Sequence, residues 1–218
     1  MEFEKQTINF RNWDLDKLEQ AFGLKQIWES PLLAAWENEK IELNAFEIQT
    51  LTNLQKSLIR GGRAWNEVEL ENKFISPMIM TADIDDEQIG YFLERPFSAI
   101  VGDYELSGIV DGVIATGIRN PQEPYFCFHE YKRSLENQGT PDGQVLAAML
   151  VAQTKNQHPH PIYGLFVVGL TWNFVILNEL EYCISKSYNA DDEEIFTIFT
   201  MLKTLKKIIK SHTLNIHF

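Results

Sequence analysis

The chain has 218 residues and a mass of 25.2 kDa, which suits one sizeable hydrophobic core and leaves two small domains as the alternative. Its 44% hydrophobic and 12% aromatic content is ordinary for a globular protein, and no apolar run reaches the length of a membrane span. The net charge of −12 counts against tight autonomous binding to nucleic acid, because phosphate contacts normally require a basic surface.

The amino terminus and the cysteines bear on the cellular compartment. The first five residues lack the apolar segment of a secretory signal peptide, so no such peptide is expected. The two cysteines, Cys127 and Cys183, both stand in apolar, strand-like surroundings. We therefore expect two buried thiols in a reducing cytoplasm rather than a disulfide bond.

Residues 1–60 are predicted to be helical, in three segments with recognisable ends. Asp14 is a candidate N-cap for the first segment, and Ser30 followed by a proline begins the second. The third shows apolar residues in helical register and ends at a pair of glycines. The predicted segments are Asp14–Phe22, Leu32–Trp36 and Phe46–Leu58. Three tryptophans of this region are interpreted as core residues: Trp13, Trp28 and Trp36.

A further helix is predicted from Ala64 to Pro77, with Asn66 as its N-cap. Two acids, Glu67 and Glu71, fall inside its apolar stripe. An acid on an inward face needs a reason, although the helix dipole also favours an acid in the first turn. The stripe is centred on Leu70, Phe74, Ile75 and Met78.

Three strand patterns then predict a meander. Tyr91–Val101 is the first, and Pro96 within it indicates a bulge or a sheet edge. Leu106–Ala115 is the second, with Asp111 in its middle. Tyr125–Ser134 is the third, and the connection between the last two suits a long hairpin loop.

Side-chain alternation along the third strand puts Glu130 and Lys132 at the end of an otherwise apolar face. Charged groups there are costly unless they pair or bind something. Antiparallel pairing would set Asp111 beside both of them. Two acidic groups make a hard-cation site of the Mg²⁺ type, with open positions for water and phosphate. A lysine two residues on would orient the attacking water or offset charge on the transferring phosphoryl group.

These residues resemble the core motif of the PD-(D/E)XK nuclease superfamily, in which an aspartate on one strand is followed on the next by Glu/Asp-X-Lys. Here the motif reads Asp111 and Glu130-Tyr131-Lys132, and Val110 stands where the family usually has a proline. The resemblance implies that Asp111 and Glu130 bind Mg²⁺, with Mn²⁺ as a possible substitute and the Tyr131 carbonyl as a further ligand. It also implies that Lys132 positions water and stabilises charge.

The same resemblance extends to two helices. The superfamily places a glutamate on its first core helix, facing the metal, and the Asn-Glu…Phe-Ile-Ser-Pro pattern matches this to Glu67, with Glu71 as the rival. A second core helix, predicted from Asp142 to about Lys155 after a Thr140-Pro141 cap, carries Gln144 in its first turn. Similar nucleases have a glutamine there, close to the active site.

A purely structural interpretation of the motif remains open, namely a surface salt bridge between Asp111 and Lys132 on neighbouring strands. His158 and His160 are interpreted as an exposed loop rather than a metal pair, because no zinc-like partner accompanies them. Three more strands and a final helix from about Asp192 to Ser211 complete the chain. The strands are predicted at Ile162–Leu170, Trp172–Leu177 and Leu180–Tyr188.

The basic residues available for phosphate contacts are few. Four lysines cluster on the final helix, at Lys203, Lys206, Lys207 and Lys210. Further phosphate contacts are expected from Arg60, Arg63, Lys132 and Arg133.

The order of elements predicts an α+β fold with a central mixed β-sheet flanked by helices, a restriction-endonuclease-like core with an N-terminal helical extension. We expect a single domain over 1–218. Its parts are a helical extension at 1–63, the nuclease-like core at 64–178, and a strand and C-terminal helix at 179–218.

Two classes of function follow. The first is a cytoplasmic, metal-dependent nuclease that hydrolyses phosphodiester bonds in DNA, in restriction, defence or repair. The second is a non-catalytic binding or regulatory module that keeps the nuclease fold, a reading that the negative charge favours. A variant of the first makes the chain one subunit of a nuclease complex. We expect no membrane partner, and a homodimer or a protein partner would then supply the basic surface.

Overall fold

The computed structural model describes residues 6–132, 140–157 and 159–216. Within these ranges the chain forms a nine-stranded mixed sheet with helices on both faces, which confirms the α+β class. The strands are β1 Gln6–Asn9, β2 Lys25–Gln26, β3 Ile89–Val101, β4 Tyr104–Thr116, β5 Gln122–Lys132, β6 Ile162–Val168, β7 Thr171–Asn178, β8 Glu181–Ile184 and β9 Tyr188–Asn189.

The helices connect and cover these strands. A 3-10 turn at Phe10–Asn12 follows β1, another lies at Gly62–Ala64, and a π-helical turn at Glu71–Ile75 separates α4 from α5. The α-helices are α1 Leu15–Phe22, α2 Pro31–Asn38, α3 Ala45–Gly61, α4 Glu67–Leu70, α5 Ser76–Thr81, α6 Pro141–Lys155 and α7 Glu194–Ile216.

The predicted meander is present, since β3 pairs antiparallel with β4 and β4 pairs antiparallel with β5. Helix α6 then crosses over the sheet so that β6 lies parallel to β5, and β7 and β8 return antiparallel. The order from one edge is β1-β4-β5-β6-β7-β8-β2, with β3 also on β4 and β9 also on β7. The central strands therefore come from the predicted core.

The prediction of a helical region over residues 1–60 missed two short strands, β1 and β2, which lie outside its three helical segments. β1 pairs parallel with β4 through Asn9 and Ser107, and β2 pairs parallel with β8. Both strands are short and take their partners from distant parts of the chain. The amino-terminal region is thus part of the sheet and not only a helical extension.

Two apolar clusters occupy the two faces of the sheet. One lies under α6 and α1 and includes Phe10 and Trp13 from the amino-terminal region. The other lies under α2, α3, α5 and α7 and includes Trp36. Trp28, predicted to be in the core, is 84% exposed, because it precedes α2 on the surface. The two clusters tie both ends of the chain to one sheet.

The four clustered lysines of the final helix pair with acids of the same chain. Each of the four lysines forms an ion pair with an acid of the loop before β3, of α3 or of the end of α2. The pairs are Lys203–Glu47, Lys206–Asp83, Lys207–Glu39 and Lys210–Asp86. The acids at these elements hold the lysine side chains against the protein. Among the described helices, none is both long and apolar enough to cross a bilayer.

Of the two cysteines and the two histidines singled out above, the structure describes the side chains of Cys183 and His160. Cys183 is a buried free thiol, as predicted, whereas the side chain of Cys127 lies outside the described part of the structure. His160 stacks on Phe126 and its ring nitrogens contact Asn156 and the Pro161 carbonyl, whereas His158 is outside the described residues. Arg133 is outside them as well.

Candidate active site

The candidate site lies where β5 separates from β4. Gly112 and His129 form the last backbone pair of these two antiparallel strands on the side toward the carboxyl end of β5. β3 occupies the other edge of β4 along its whole length. β1 runs along the same edge as β5 and reaches Asn9 beside Ser107. β1 and β5 therefore approach each other end to end, with residues 108–111 of β4 between their last pairs.

The Asp111 carboxylate fills part of this opening. Its Oδ2 accepts a hydrogen bond of 2.7 Å from the Tyr131 backbone N–H. In a continuous β-ladder, this N–H would donate to a backbone carbonyl of the neighbouring strand. Here the side chain of Asp111 accepts the bond instead. The bond fixes Asp111 against the strand that carries Glu130 and Lys132, so the three predicted residues converge.

Glu130 and Lys132 form the close ion pair of the site. Glu130 is buried, at 6% exposure, and its Oε1 lies 2.8 Å from Lys132 Nζ. Lys132 Nζ also lies 3.7 Å from Glu67 Oε1 on α4. The structural alternative proposed a bridge from Lys132 to Asp111, but the ion pairs within 4 Å join Lys132 to the two glutamates.

Asp111 and Glu130 both have raised pKa values. Burial, together with the nearby charge of Asp111, raises the pKa of Glu130 to about 7, against the pull of Lys132. Burial also raises the pKa of Asp111, although the Tyr131 N–H bond opposes this. For Lys132 burial acts to lower the pKa, but the charges of Glu130, Asp111 and Glu67 outweigh it and raise the pKa. The lysine is therefore an ammonium ion at neutral pH.

Both rival acids of the following helix face this region. Glu67 contacts Lys132, and the charge of Glu71 acts on the same group of acids: burial, Asp111 and Glu94 together raise the pKa of Glu71. A single α-helix would place residues four apart about 40° from each other. Here α4 stops at Leu70 and a π-helical turn begins at Glu71. π-helical turns are found frequently at functional sites.

Glu94 is a site residue that the sequence analysis missed. The β3–β4 register pairs Leu93 with Gly112 and Arg95 with Val110, so Glu94 stands opposite Asp111. Its φ of 49° is in the left-handed region, which is costly for a residue with a Cβ. Pro96, two residues on, had indicated a bulge here, but nothing in the strand pattern pointed to the acid. Its charge acts on both Asp111 and Glu71.

Gln144 lies in the first turn of α6, as predicted, and is buried at 3% exposure. Its Nε2 has no hydrogen-bond partner among the described residues. An unpaired buried amide of this kind is uncommon and calls for an explanation such as a ligand. The structure shows no direct contact between Gln144 and the Asp111–Glu130 pair, so its role stays a prediction.

Behind the site, three side chains form a hydrogen-bonded row. The Tyr131 hydroxyl lies 2.9 Å from the Tyr91 hydroxyl and 2.8 Å from His129 Nδ1. Burial lowers the pKa of His129 to about 3, so its ring is neutral. Gly112 sits against this row, because a Cβ there would stand 2.9 Å from the Tyr91 ring. The row holds the Tyr131 side chain away from the face that carries Glu130; the predicted role of its carbonyl stays a prediction.

The donor set can be tested for a metal ion from the contacts alone. Over the described ranges, no group of three or more His, Cys, Asp or Glu side chains is arranged to hold one. Asp111 and Glu130 each use one carboxylate oxygen in the described structure, which leaves the other oxygen of each as an acceptor. Mg²⁺ is commonly bound by one or two carboxylates together with water and substrate phosphate. By kind and number, the free oxygens of Asp111 and Glu130 are donors that such an ion takes from a protein.

Comparison with known proteins adds no assignment. No protein-family model matches the chain, and no curated protein matches it in sequence.

Proposed function

We propose that this chain is a metal-dependent phosphodiesterase of the PD-(D/E)XK type that hydrolyses DNA. The observation that carries the proposal is the pair formed by the half-buried Asp111 carboxylate and the buried Glu130 carboxylate beside Lys132, at the point where β4 and β5 separate. Two neighbouring acids with raised pKa values repel each other, and a divalent cation would relieve that repulsion.

Asp111 and Glu130 would hold Mg²⁺, or Mn²⁺ in its place, through the oxygens that are not already bonded. A bound divalent ion supplies polarisation of a phosphoryl oxygen and lowers the pKa of a coordinated water. Glu67, which lies 3.7 Å from Lys132 Nζ, and Glu71, whose pKa is raised by burial and by the charge of Asp111, would accept hydrogen bonds from water near that ion.

The protonation state of Lys132 limits the catalytic roles that it can have. Because its pKa is raised, Lys132 keeps its proton and cannot act as a general base. Its ammonium group lies between the Glu130 and Glu67 carboxylates. From there it would hold an attacking water by donating a hydrogen bond and offset negative charge on the phosphoryl group.

The test is Mg²⁺- or Mn²⁺-dependent cleavage of DNA by the purified chain, with metal binding measured by calorimetry. Lys132→Ala should lower the cleavage rate about 10²–10³-fold, the usual effect of losing one charge-stabilising donor. It should keep metal binding, because lysine is not a ligand. Asp111→Asn should weaken both metal binding and cleavage. Lys25→Ala, an exposed lysine on β2, is the matched control and should change neither.

A non-catalytic module is the second candidate, and one observation favours it. The net charge is −12, and each of the four lysines of α7 is paired with an acid, which offsets its positive charge. A basic protein partner, or a second copy contributing its surface, would supply DNA affinity to the first candidate. Wild-type protein that neither binds divalent metal nor cleaves DNA, alone or with such a partner, would leave the non-catalytic module as the better account.

A further inference from the structure

The end of β1 delivers an arginine to the candidate site. β1 is parallel to β4 and ends with Asn9 beside Ser107, so the following residues continue toward Asp111. β5 is antiparallel to β4 and arrives from the opposite direction, with His129 beside Gly112. Phe10–Asn12 leaves the strand in a 3-10 turn whose Phe10 ring lies against Gly108, within residues 108–111 of β4, the stretch between the ends of β1 and β5. The chain thus carries Arg11 and Lys132 toward this opening from opposite ends.

The turn that carries Arg11 is firmly seated. Phe10 is buried against Gly108 of β4, where any Cβ would collide with its ring. On the other side, a Cβ at Gly143 of α6 would stand 2.5 Å from the Trp13 carbonyl oxygen. Asn9 caps the turn by accepting a hydrogen bond of 3.1 Å from the Arg11 N–H. The backbone of Arg11 is therefore held between β4 and the first turn of α6.

The side chain of Arg11, in contrast, is exposed to solvent. Its guanidinium forms no ion pair or hydrogen bond with the residues that the structure describes. It lies near enough to Glu130 for its positive charge to favour the ionised carboxylate. The neighbouring first turn of α6 contains the buried and unpaired Gln144 amide. The Arg11 guanidinium and the Gln144 amide thus belong to two elements in contact with each other, and neither group has a hydrogen-bond partner among the described residues.

We propose that Arg11 is a substrate-binding residue that donates hydrogen bonds to a non-bridging phosphate oxygen of the nucleic acid held at the Asp111–Glu130 pair. This inference rests on the proposed function and adds the recognition of the substrate backbone to it. A guanidinium matches a phosphate because its parallel N–H groups can bind two oxygens at once. The chain has a net charge of −12, so Arg11 would provide positive charge locally, where the phosphate binds.

The experiment measures Mg²⁺-dependent cleavage of an end-labelled duplex by four proteins over a range of salt concentrations. They are the wild type, Arg11→Ala, Arg11→Lys and the control Arg119→Ala. Arg119 is an exposed arginine in the β4–β5 connection, at the opposite end of that hairpin. Arg11→Ala should lower kcat/KM about 10- to 100-fold, as for the loss of a charge-assisted hydrogen bond. In a plot of log kcat/KM against the logarithm of the salt concentration, the slope for Arg11→Ala should be shallower by about 1 than that of the wild type. Arg11→Lys should recover part of the loss, and Arg119→Ala should match the wild type.

A second arm locates the phosphate. In a series of substrates, a single neutral methylphosphonate replaces one phosphate at a time along the strand. At one position the replacement should slow cleavage by the wild type, because the contact with Arg11 is lost. At that same position it should not slow cleavage by Arg11→Ala. A residue that only stabilised Glu130 would move neither the salt slope nor this pattern. Wild-type cleavage combined with equal salt slopes and patterns for Arg11→Ala and Arg119→Ala overturns this inference alone. Absence of metal-dependent cleavage in the wild type overturns the proposed function and the inference together.

Discussion

At the scale of single residues, the site stores electrostatic repulsion. Asp111 and Glu130 are held close together by contacts that do not depend on a metal: the Tyr131 N–H bond on one side and the Lys132 pair on the other. Glu94 adds a third charge on a strained backbone opposite Asp111. Strain and like charges lower the stability of the free protein and are retained at sites where a ligand compensates for them.

The repulsion predicts how metal-free stability depends on pH. The pKa of Glu130 is raised to about 7 from 4.5, so the folded state binds a proton between these values that the unfolded state has lost. Stability from this group is present at low pH and is lost as pH rises through that window. In EDTA, the unfolding free energy of Glu130→Gln minus that of the wild type should rise between pH 4.5 and 7. The change should be on the order of 2 to 3 kcal/mol.

Glu69→Gln is the control for that measurement. Its hydrogen bond with Lys73 lowers the pKa of the exposed Glu69, so its stabilising contribution has the opposite sign: it is present at neutral pH and lost on acidification. Denaturant titrations at several pH values measure both differences. Parallel pH profiles for the wild type and Glu130→Gln would contradict the raised pKa.

At the scale of elements, the sequence predicted what local interactions determine. The caps at Asp14, Ser30, Asn66 and Thr140 all receive backbone N–H groups as predicted, because a cap depends only on the next three residues. β1 could not be predicted, since four residues of β1 become a strand only beside a partner about a hundred residues away. Arg11 was missed for the same reason, because its place follows from that pairing.

The residues of the site also divide into those that local sequence patterns predict and those that they do not. Asp111, Glu130 and Lys132 were predicted because strand alternation and a hairpin specify their neighbours, and the structure brings them together. The choice between Glu67 and Glu71 could not be made from a helical wheel, because residues four apart lie only about 40° from each other and both acids act on the site. The position of Glu94 depends on a left-handed backbone that a strand pattern does not indicate.

The pairing of α7 with acids gives an element-scale prediction. Glu47 is buried, and its Oε1 lies 2.5 Å from Lys203 Nζ. Lys203→Met should lower the free energy of unfolding by about 2–3 kcal/mol, because it leaves the Glu47 carboxylate buried without its cation. Lys207→Met is the matched control, since its pair with Glu39 is exposed and should change stability by less than about 0.5 kcal/mol.

Denaturant unfolding of the two variants measures this difference. A lysine that served nucleic acid instead of the fold would behave differently. Loss of DNA affinity in Lys203→Met with unchanged stability would show that the ion pair is incidental and that the helix binds phosphate.

At the scale of the whole molecule, the amino-terminal region and the final helix are held to the sheet by the same core. Trp36 of α2 is fully buried and donates a hydrogen bond of 2.7 Å from Nε1 to the Met201 carbonyl of α7. Its ring meets Tyr163 of β6 and Phe174 of β7 edge to face. One side chain thus joins a segment outside the predicted core to α7 and to two central strands, which supports the prediction of a single domain.

This arrangement predicts how the whole chain unfolds. Trp36→Ala should lower the free energy of unfolding by about 3–5 kcal/mol, because it leaves a cavity in the core and removes the hydrogen bond to the Met201 carbonyl. Trp28→Ala should change it by less than about 0.5 kcal/mol, since that side chain is 84% exposed. Because the damaged contact spans α2, α7 and the sheet, helix content and tryptophan fluorescence should be lost in one coincident denaturant transition in both variants. If Trp36→Ala instead loses its amino-terminal helices in a separate early transition while the sheet persists, residues 1–63 are an independent unit and the single-domain prediction is wrong.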